Sequence, residues 1–388
     1  MTGDDKSKRK LRRLIGIVFS LASLVVLTYI AIALISGRGL KLSRLTGAFS
    51  SREPAELAEE YFFDVGRDRV FANLEGRPAA AGTLGVQVLD AAGEETLKDP
   101  FRMATPALYA RDGLAIAFDI GGTAVRVFNN EEILASVEAA GPIISASVNR
   151  NGWFCVCAQE GGGYKGTATV YNGSGSKEYR VSLASGYVLS AELSPDNRNL
   201  AVLNLTVGGS RVTFYDLSSD STDNVYELPG RLIVDIRYLN SNELLVITDG
   251  AMTVIDRHGS VRELFSFSGG RLRGYAIEGE YIALHLLDYG VGYHGRLATL
   301  AQNGELLGEI VTNRDIVSMS VGAGFVAVLR GDGLVFYDIT LGEIPPAEDR
   351  APTVGATQVV ALSVGDGAAI VAGDHSATVI RLTGGSGP

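Results

Sequence analysis

One pattern recurs about eight times between Arg69 and Leu382: a short apolar strand, a turn of Gly, Asn or Asp, and a second strand rich in Val, Ala, Tyr and Phe. Clear copies run Gly113 to Phe118 then Val125 to Phe128, and Asn199 to Leu203 then Val212 to Tyr215. Others run Glu243 to Ile247 then Met252 to Ile255, and Phe325 to Leu329 then Leu334 to Tyr337. The copies are spaced by roughly 40 residues, the period of a β-propeller blade. Glycine supports this reading. It makes up 48 of 388 residues, well above the usual ~7 %, as a chain of many tight hairpins requires. The pattern predicts an all-β fold, a propeller of seven or eight blades, with eight the better count. Strands assigned to the first unit are Tyr61 to Asp64, Arg69 to Leu74, Leu84 to Leu89 and Glu94 to Leu97. The last unit, Val359 to Leu382, shows three strands and no fourth, so residues near Glu59 to Asp64 are expected to close the ring. The Pro-rich stretch from Leu341 to Thr353 interrupts the seventh unit and is expected to lack a regular outer strand. Only Pro54 to Glu60 reads as a short helix.

Ahead of the ring lies an uncharged run of 22 residues, Leu14 to Ile35. At 1.5 Å per residue a helix of that length spans about 33 Å, enough to cross a bilayer core. Six basic residues precede it, and the positive-inside rule then predicts a cytoplasmic N-terminus and an extracytoplasmic ring. Ala31-Ile32-Ala33 resembles a cleavage site, yet Leu34 and Ile35 continue the apolar run past it, so an anchor is favoured over a signal peptide. The expected organisation is a basic tail (1–13), a transmembrane helix (14–35), a juxtamembrane linker (36–58), the propeller (59–383) and a disordered tail (384–388). Residues 1 to 35 carry a net charge of +4, which leaves −14 for the remainder of a chain whose total is −10. Such acidity repels a phosphate backbone, and nucleic-acid binding is not expected.

Glu192-Leu193-Ser194-Pro195-Asp196-Asn197-Arg198-Asn199-Leu200-Ala201 resembles the Ser-Pro-Asp-Gly signature of WD-repeat, TolB-type and YVTN-type propellers. Pro fixes φ in such a turn, and Asn197 replaces the usual Gly in a left-handed position. The Trp-Asp dipeptide of true WD repeats is absent. With its N-terminal anchor, the chain as a whole is similar to an uncharacterised class of bacterial membrane-anchored propellers. That resemblance implies a fold and a topology but no activity.

Motifs of chemistry are sparse. Asp119-Ile120-Gly121-Gly122-Thr123 resembles the phosphate-binding turn of actin-like sugar kinases, but it falls between two strands of a blade and the α/β alternation those enzymes need is missing. The four histidines are scattered, and no His-Glu-x-x-His or Gly-x-Ser-x-Gly pattern occurs. Cys155 and Cys157, two apart on one strand, point to one face and read as buried core thiols. No catalytic residue, metal ligand or cofactor is assigned. A hydrolase would need carboxylates or histidines converging on the axis, whereas the inner strand Ile143 to Val148 offers only small or apolar groups.

The links between second and third strands are the better lead. Gly163-Tyr164-Lys165-Gly166 and Gly292-Tyr293-His294-Gly295 occupy the same slot in two blades, and Thr206 to Ser210 is read as a third extended link. Loops on a rigid scaffold commonly carry binding, and Tyr is a contact residue of low entropic cost. Tyr164, Lys165, Tyr289, Tyr293 and His294 are therefore the candidate binding residues, with Asp288 placed to tune them. The sequence predicts a binding or scaffold module of the cell envelope, its partner an envelope protein, a peptide or a glycan. The alternatives are a propeller hydrolase or lyase acting on cell-wall carbohydrate, revived by three or more polar side chains in the central channel, and a structural spacer.

Overall fold

The computed structural model describes residues 58–382 apart from 220, 289–291, 293, 323, 347–354, 363–366 and 374–376. The apolar run 14–35 and the tails lie outside the described residues, and no described helix is long and apolar enough to cross a membrane.

Eight antiparallel sheets are arranged as blades. Blade 1 comprises β1 (Val70–Leu74), β2 (Arg77–Gly82), β3 (Gly85–Leu89) and β4 (Glu95–Pro100). Blade 2 comprises β5 (Pro106–Arg111), β6 (Leu114–Asp119), β7 (Ala124–Phe128) and β8 (Ile133–Glu138). Blade 3 holds β9 (Ile143–Val148), β10 (Phe154–Ala158), β11 (Gly166–Tyr171) and β12 (Lys177–Leu183). Blade 4 holds β13 (Tyr187–Leu193), β14 (Asn199–Thr206), β15 (Gly209–Asp216) and β16 (Ser221–Pro229). In blade 5 these are β17 (Ile233–Tyr238), β18 (Glu243–Thr248), β19 (Ala251–Asp256) and β20 (Val261–Ser266). In blade 6 they are β21 (Gly270–Glu278), β22 (Tyr281–Asp288), β23 (Gly295–Ala301) and β24 (Leu306–Thr312). Blade 7 has β25 (Ile316–Val321), β26 (Phe325–Arg330), β27 (Gly333–Asp338) and a two-residue β28 (Glu343–Ile344). Blade 8 has β29 (Ala356–Leu362), β30 (Ala368–Gly373) and β31 (Ala377–Arg381).

Along each chain of four the strands run a to d outward, and the a-strands of successive blades meet around the axis. The b- and c-strands are buried on both faces because each sheet is covered by a neighbour on either side. Eight apolar clusters fill the eight junctions between blades. Eight junctions for eight sheets means a closed ring. One cluster joins blade 8 to blade 1 and contains Tyr61, Phe63 and Phe71 with Val360, Ile370 and Val379.

The three-stranded last blade is completed by the start of the ring, as the sequence predicts. Tyr61 N–H donates to Ala377 O at 2.9 Å, Val379 N–H donates to Glu59 O at 3.0 Å, and Glu60 bridges Thr378. Residues 58–60 are therefore not the helix expected there, with a bend at Glu59 and a bridge at Glu60, and 54–57 lie outside the described residues. The ladder to β31 takes the backbone groups that a helix would have used internally. Tyr61 to Asp64 is accordingly no strand of blade 1. Its second strand is β2, Arg-Pro-Ala-Ala-Ala-Gly, which the sequence conceals behind poor strand formers. Ala79, Ala80 and Ala81 are fully buried there, so small size, not β-propensity, suits them to the space between sheets.

Other expectations hold at their residues. The Ser-Pro-Asp-Asn turn links β13 to β14, with Asn197 at φ 61° and Asn199 N–H donating to Ser194 Oγ at 2.9 Å. Cys155 and Cys157 are free and buried in the junction of blades 3 and 4. Its hydrogen bond with Cys157, and then burial, hold the Cys155 thiol well above its usual range. The Thr206 to Ser210 link is tighter than expected, because β14 and β15 pair to Thr206 and Gly209 and leave a two-residue turn.

Candidate functional site

The inner strands share an irregularity that decides what faces the axis. In blades 3 to 8 the a–b ladder shifts register by one residue, passing over Ile144, Leu189, Val234, Arg273, Val317 and Thr357. Such a bulge bends the strand and re-aims the side chains that follow it. The first and third positions after it are Ser145 and Ser147, Ser190 and Glu192, Asp235 and Arg237, and Ser318 and Ser320. The residue between each pair packs into the blade junction or against it, as Ala146, Ala191 and Ile236 do.

In two places these positions tie neighbouring blades with neutral bonds. Ser145 Oγ donates to Leu189 O at 2.8 Å and Ser147 Oγ to Ala191 O at 2.7 Å. Ser318 and Ser320 accept from Val359 N–H and Ala361 N–H. Gln358 makes the same kind of tie to blade 1, donating to Phe71 O at 2.9 Å and accepting from Phe71 N–H at 3.2 Å. Blades 4 and 5 depart from this scheme and place charges instead.

Those charges surround a cavity of about 350 Å³ at the axis, walled by the inner strands of blades 2 to 6. Arg111, the last residue of β5, reaches across to blade 4, where Nη1 donates to Glu192 Oε2 at 3.1 Å. Its Nη2 donates to Tyr238 O at the end of β17 in blade 5. Both partners lie at the a–b ends of their strands, so Arg111 straps that end of the cavity. Asp235 accepts the Tyr275 hydroxyl at 2.8 Å, and Arg237 Nη1 donates to Ile277 O at 3.4 Å. The Tyr109 ring, 58 % exposed, faces the cavity and is backed by Phe118 with ring centroids 6.0 Å apart. Ser190 Oγ is buried there without a hydrogen-bond partner.

Removal from water dominates the electrostatics. Burial raises the Glu192 carboxyl to about 7 despite the opposing pull of Arg111, and Asp235 adds to the rise. Burial also raises Asp235, against the stabilising hydrogen bond from Tyr275. The same burial lowers Arg237, helped by repulsion from Arg111 and opposed by Glu192, Glu278 and Asp235. Two carboxyls held above their usual range, two guanidiniums and two tyrosines offer donors and acceptors to polar groups. Among the described residues no group of three or more His, Cys, Asp and Glu side chains is arranged to hold a metal ion.

The residues expected at the rim are placed as follows. Tyr164 is 46 % exposed in the b–c link of blade 3, and Lys165 Nζ lies 5.8 Å from the centroid of the Tyr187 ring. His294 Nδ1 lies 2.5 Å from Asp288 Oδ2 in the corresponding link of blade 6. Tyr289 and Tyr293 lie outside the described residues. The structure thus pairs Asp288 with His294 but does not bring that pair to Tyr164, since blades 3 and 6 are not neighbours. A more open groove of about 710 Å³ lies beside Leu183, Ser185 and Asn204, where Arg211 and Glu227 form an exposed pair. The kinase-like Asp119 to Thr123 turn is structural. Asp119 Oδ1 accepts from Ala104 N–H and Thr105 N–H, and Gly121 and Gly122 bond to Ile143 of the next blade.

Sequence reasoning missed Arg111, Glu192, Asp235, Arg237 and Tyr275, and judged the inner strands too apolar from β9 alone. The usable signal was polar residues two apart at the same point of successive a-strands.

Solved structures of similar fold cover most of this ring at low identity. Sqt1 of Saccharomyces cerevisiae aligns at a TM-score of 0.58 and 11 % identity over 85 % of this chain and 100 % of that one. The C-terminal WD40 domain of Sif2 aligns at 0.55 and 13 % over 84 % and 99 %. A quinohemoprotein alcohol dehydrogenase from Pseudomonas putida aligns at 0.52 and 12 % over 85 % and 76 %. At such identities the likeness concerns fold alone. No curated protein matches the chain. A family model described as "Family of unknown function (DUF5711)" matches residues 64–340, from blade 1 to the third strand of blade 7, and the chain belongs to that family.

Proposed function

We propose that this protein is a ligand-binding module of the cell envelope, tethered by residues 14–35 with its ring on the extracytoplasmic side and its binding site in the axial cavity. The observation that carries the site is the strap and cluster formed by Arg111, Glu192, Asp235, Arg237 and Tyr275 around open space. Buried charges cost several kcal/mol each and do not by themselves stabilise a fold. The same ring joins blades 3 to 4, 7 to 8 and 8 to 1 with neutral Ser and Gln bonds, so charge is not needed for closure. What supports the tether and its orientation is the apolar run and the basic residues before it.

A photo-reactive amino acid placed at Tyr109 in intact cells tests the site, with one at Tyr164 as the comparison. Adducts from the Tyr109 position alone support the cavity. Adducts from Tyr164 alone return function to the rim, and none from either position ends the binding reading. Carbonate extraction and protease treatment of spheroplasts test the address; release from the membrane or full protection of the ring would refute it.

A hydrolase acting on cell-wall carbohydrate is the second reading, favoured by two carboxyls held above their usual range in one cavity. Protonated Glu192 would deliver its proton to the departing oxygen as the bond to it breaks, and water would add hydroxyl to the other fragment while giving up its second proton to the Asp235 carboxylate. New reducing ends from purified wall polysaccharide, absent with Glu192→Gln, test that reading.

A further inference from the structure

We infer that the axial cavity takes a neutral polyhydroxylated ligand, one or two rings of a saccharide, with a sugar face on Tyr109 and its hydroxyls on Asp235, Arg237, Glu192 and Ser190. This rests on the cavity being the binding site and names the class of ligand it fits.

Four features of the cavity converge on that class. The first is charge balance: above about pH 7, where Glu192 is ionised, the Glu192 and Asp235 carboxylates are met by Arg111 and Arg237 within the same walls. A ligand of either sign would gain from one pair of groups and be repelled by the other. A neutral one meets no such conflict. The second is mixed bonding capacity. A guanidinium offers five N–H donors, and Arg237 commits one of them to Ile277 O, at 3.4 Å. Each Asp235 oxygen already accepts once, Oδ1 from Ile236 N–H at 2.9 Å and Oδ2 from the Tyr275 hydroxyl, and keeps a second lone pair, while Arg111 engages Glu192 through Oε2. Sugar hydroxyls donate and accept at once, so they can serve both kinds of group where a purely cationic or anionic ligand serves one.

The third feature is the aromatic wall. Phe118 stacks behind Tyr109 and fixes one of its faces, which leaves the other for the apolar C–H face of a pyranose ring. The fourth is Ser190, whose buried hydroxyl lacks a partner on the cavity wall. Buried hydroxyls are normally bonded, and a ligand oxygen or an ordered water would complete this one. A cavity of about 350 Å³ falls at the small end of the range for small-molecule pockets. That matches a mono- or disaccharide and excludes a folded protein.

Saturation-transfer NMR on the full chain tests the inference, in a detergent without a sugar head group. The neutral probes are cellobiose and di-N-acetylchitobiose; the charged probes are lysine and glutamate. Transfer to ring protons of a neutral disaccharide is expected, with silence from lysine and glutamate. Affinity should fall roughly tenfold or more in Tyr109→Ala and in Asp235→Asn, since each removes a contact of that order. Asp235→Asn conserves shape, and an unchanged near-ultraviolet circular dichroism spectrum confirms its fold. Transfer to lysine or glutamate without transfer to the disaccharides overturns the saccharide assignment while leaving the cavity as a binding site. Transfer that both variants retain overturns it too, as does silence from every probe. In those cases the Tyr109 cross-link separately decides whether the cavity binds anything.

Discussion

Arg111 and Glu192 form the pair on which the cavity's electrostatics turn. Their side chains are only 18 % and 17 % exposed, so their interaction is little screened by solvent. Removing one partner of a buried pair leaves the other uncompensated, at a cost of about 3 kcal/mol or more. Arg111→Ala should therefore lower stability by that order at pH 7.5, and by much less in a Glu192→Gln background; equal losses in both backgrounds in a urea double-mutant cycle would refute the coupling. Glu192 itself makes stability depend on pH. Its carboxyl rises from 4.5 to about 7 on folding, so the folded protein holds more protons than the unfolded chain between those values. Stability then falls as pH rises through that window, by up to about 3 kcal/mol for this one group. Glu192→Gln should remove that part of the slope while Asp235 retains its own. Parallel melting curves of the two proteins from pH 4.5 to 7.5 would show the idea wrong. Both residues stood in plain view in the sequence, but Glu192 was absorbed into the Ser-Pro-Asp-Asn signature and Asp235 into a short strand. A strand pattern reports which residues alternate. It does not report that a bulge, repeated in six blades, turns one set toward the axis.

At the scale of the strand, legibility followed burial chemistry. The b- and c-strands of blades 2, 4, 5 and 7 were readable because Val, Ile, Leu and Phe fill them. β2 was not, since Ala and Gly announce neither strand nor helix and Pro78 argues against a strand. The closing segment was legible for a different reason. Blade 8 showed three strands, and an open edge demands a partner. Tyr61 anchors that partner: it is 2 % exposed, its hydroxyl donates to Ala91 O at 3.1 Å, and its ring lies 6.5 Å from that of Phe63. Tyr61→Ala should cost about 3–5 kcal/mol, as buried aromatic truncations do, and should hasten proteolysis at both ends of the ring. Tyr61→Phe removes only the hydroxyl bond and should cost about 1 kcal/mol. Equal urea midpoints for the two variants would show that the ring of Tyr61 does not carry the closure.

For the whole molecule, closure changes the kind of cooperativity. A linear repeat array has two ends, and its units unfold nearly independently from them. Here every blade has two neighbours, because Glu59 to Tyr61 joins the sheet made by the last strands of the chain. Opening the ring anywhere exposes one junction cluster on both sides. A chain beginning at Glu56 keeps Ala58 N–H on Ala91 O and the whole closing segment. It should remain folded without detergent and unfold in urea as one transition, at a midpoint near that of the full chain. A chain beginning at Val65 loses the ladder to β31 together with Tyr61 and Phe63 from the cluster between blades 8 and 1. Its blades can then fray from the new end, which predicts a broader transition with a smaller slope, since less surface is released in each step. Should the shorter chain melt as sharply as the longer, closure would be irrelevant to cooperativity. The ring would then have to be viewed as eight sheets held by their junctions alone.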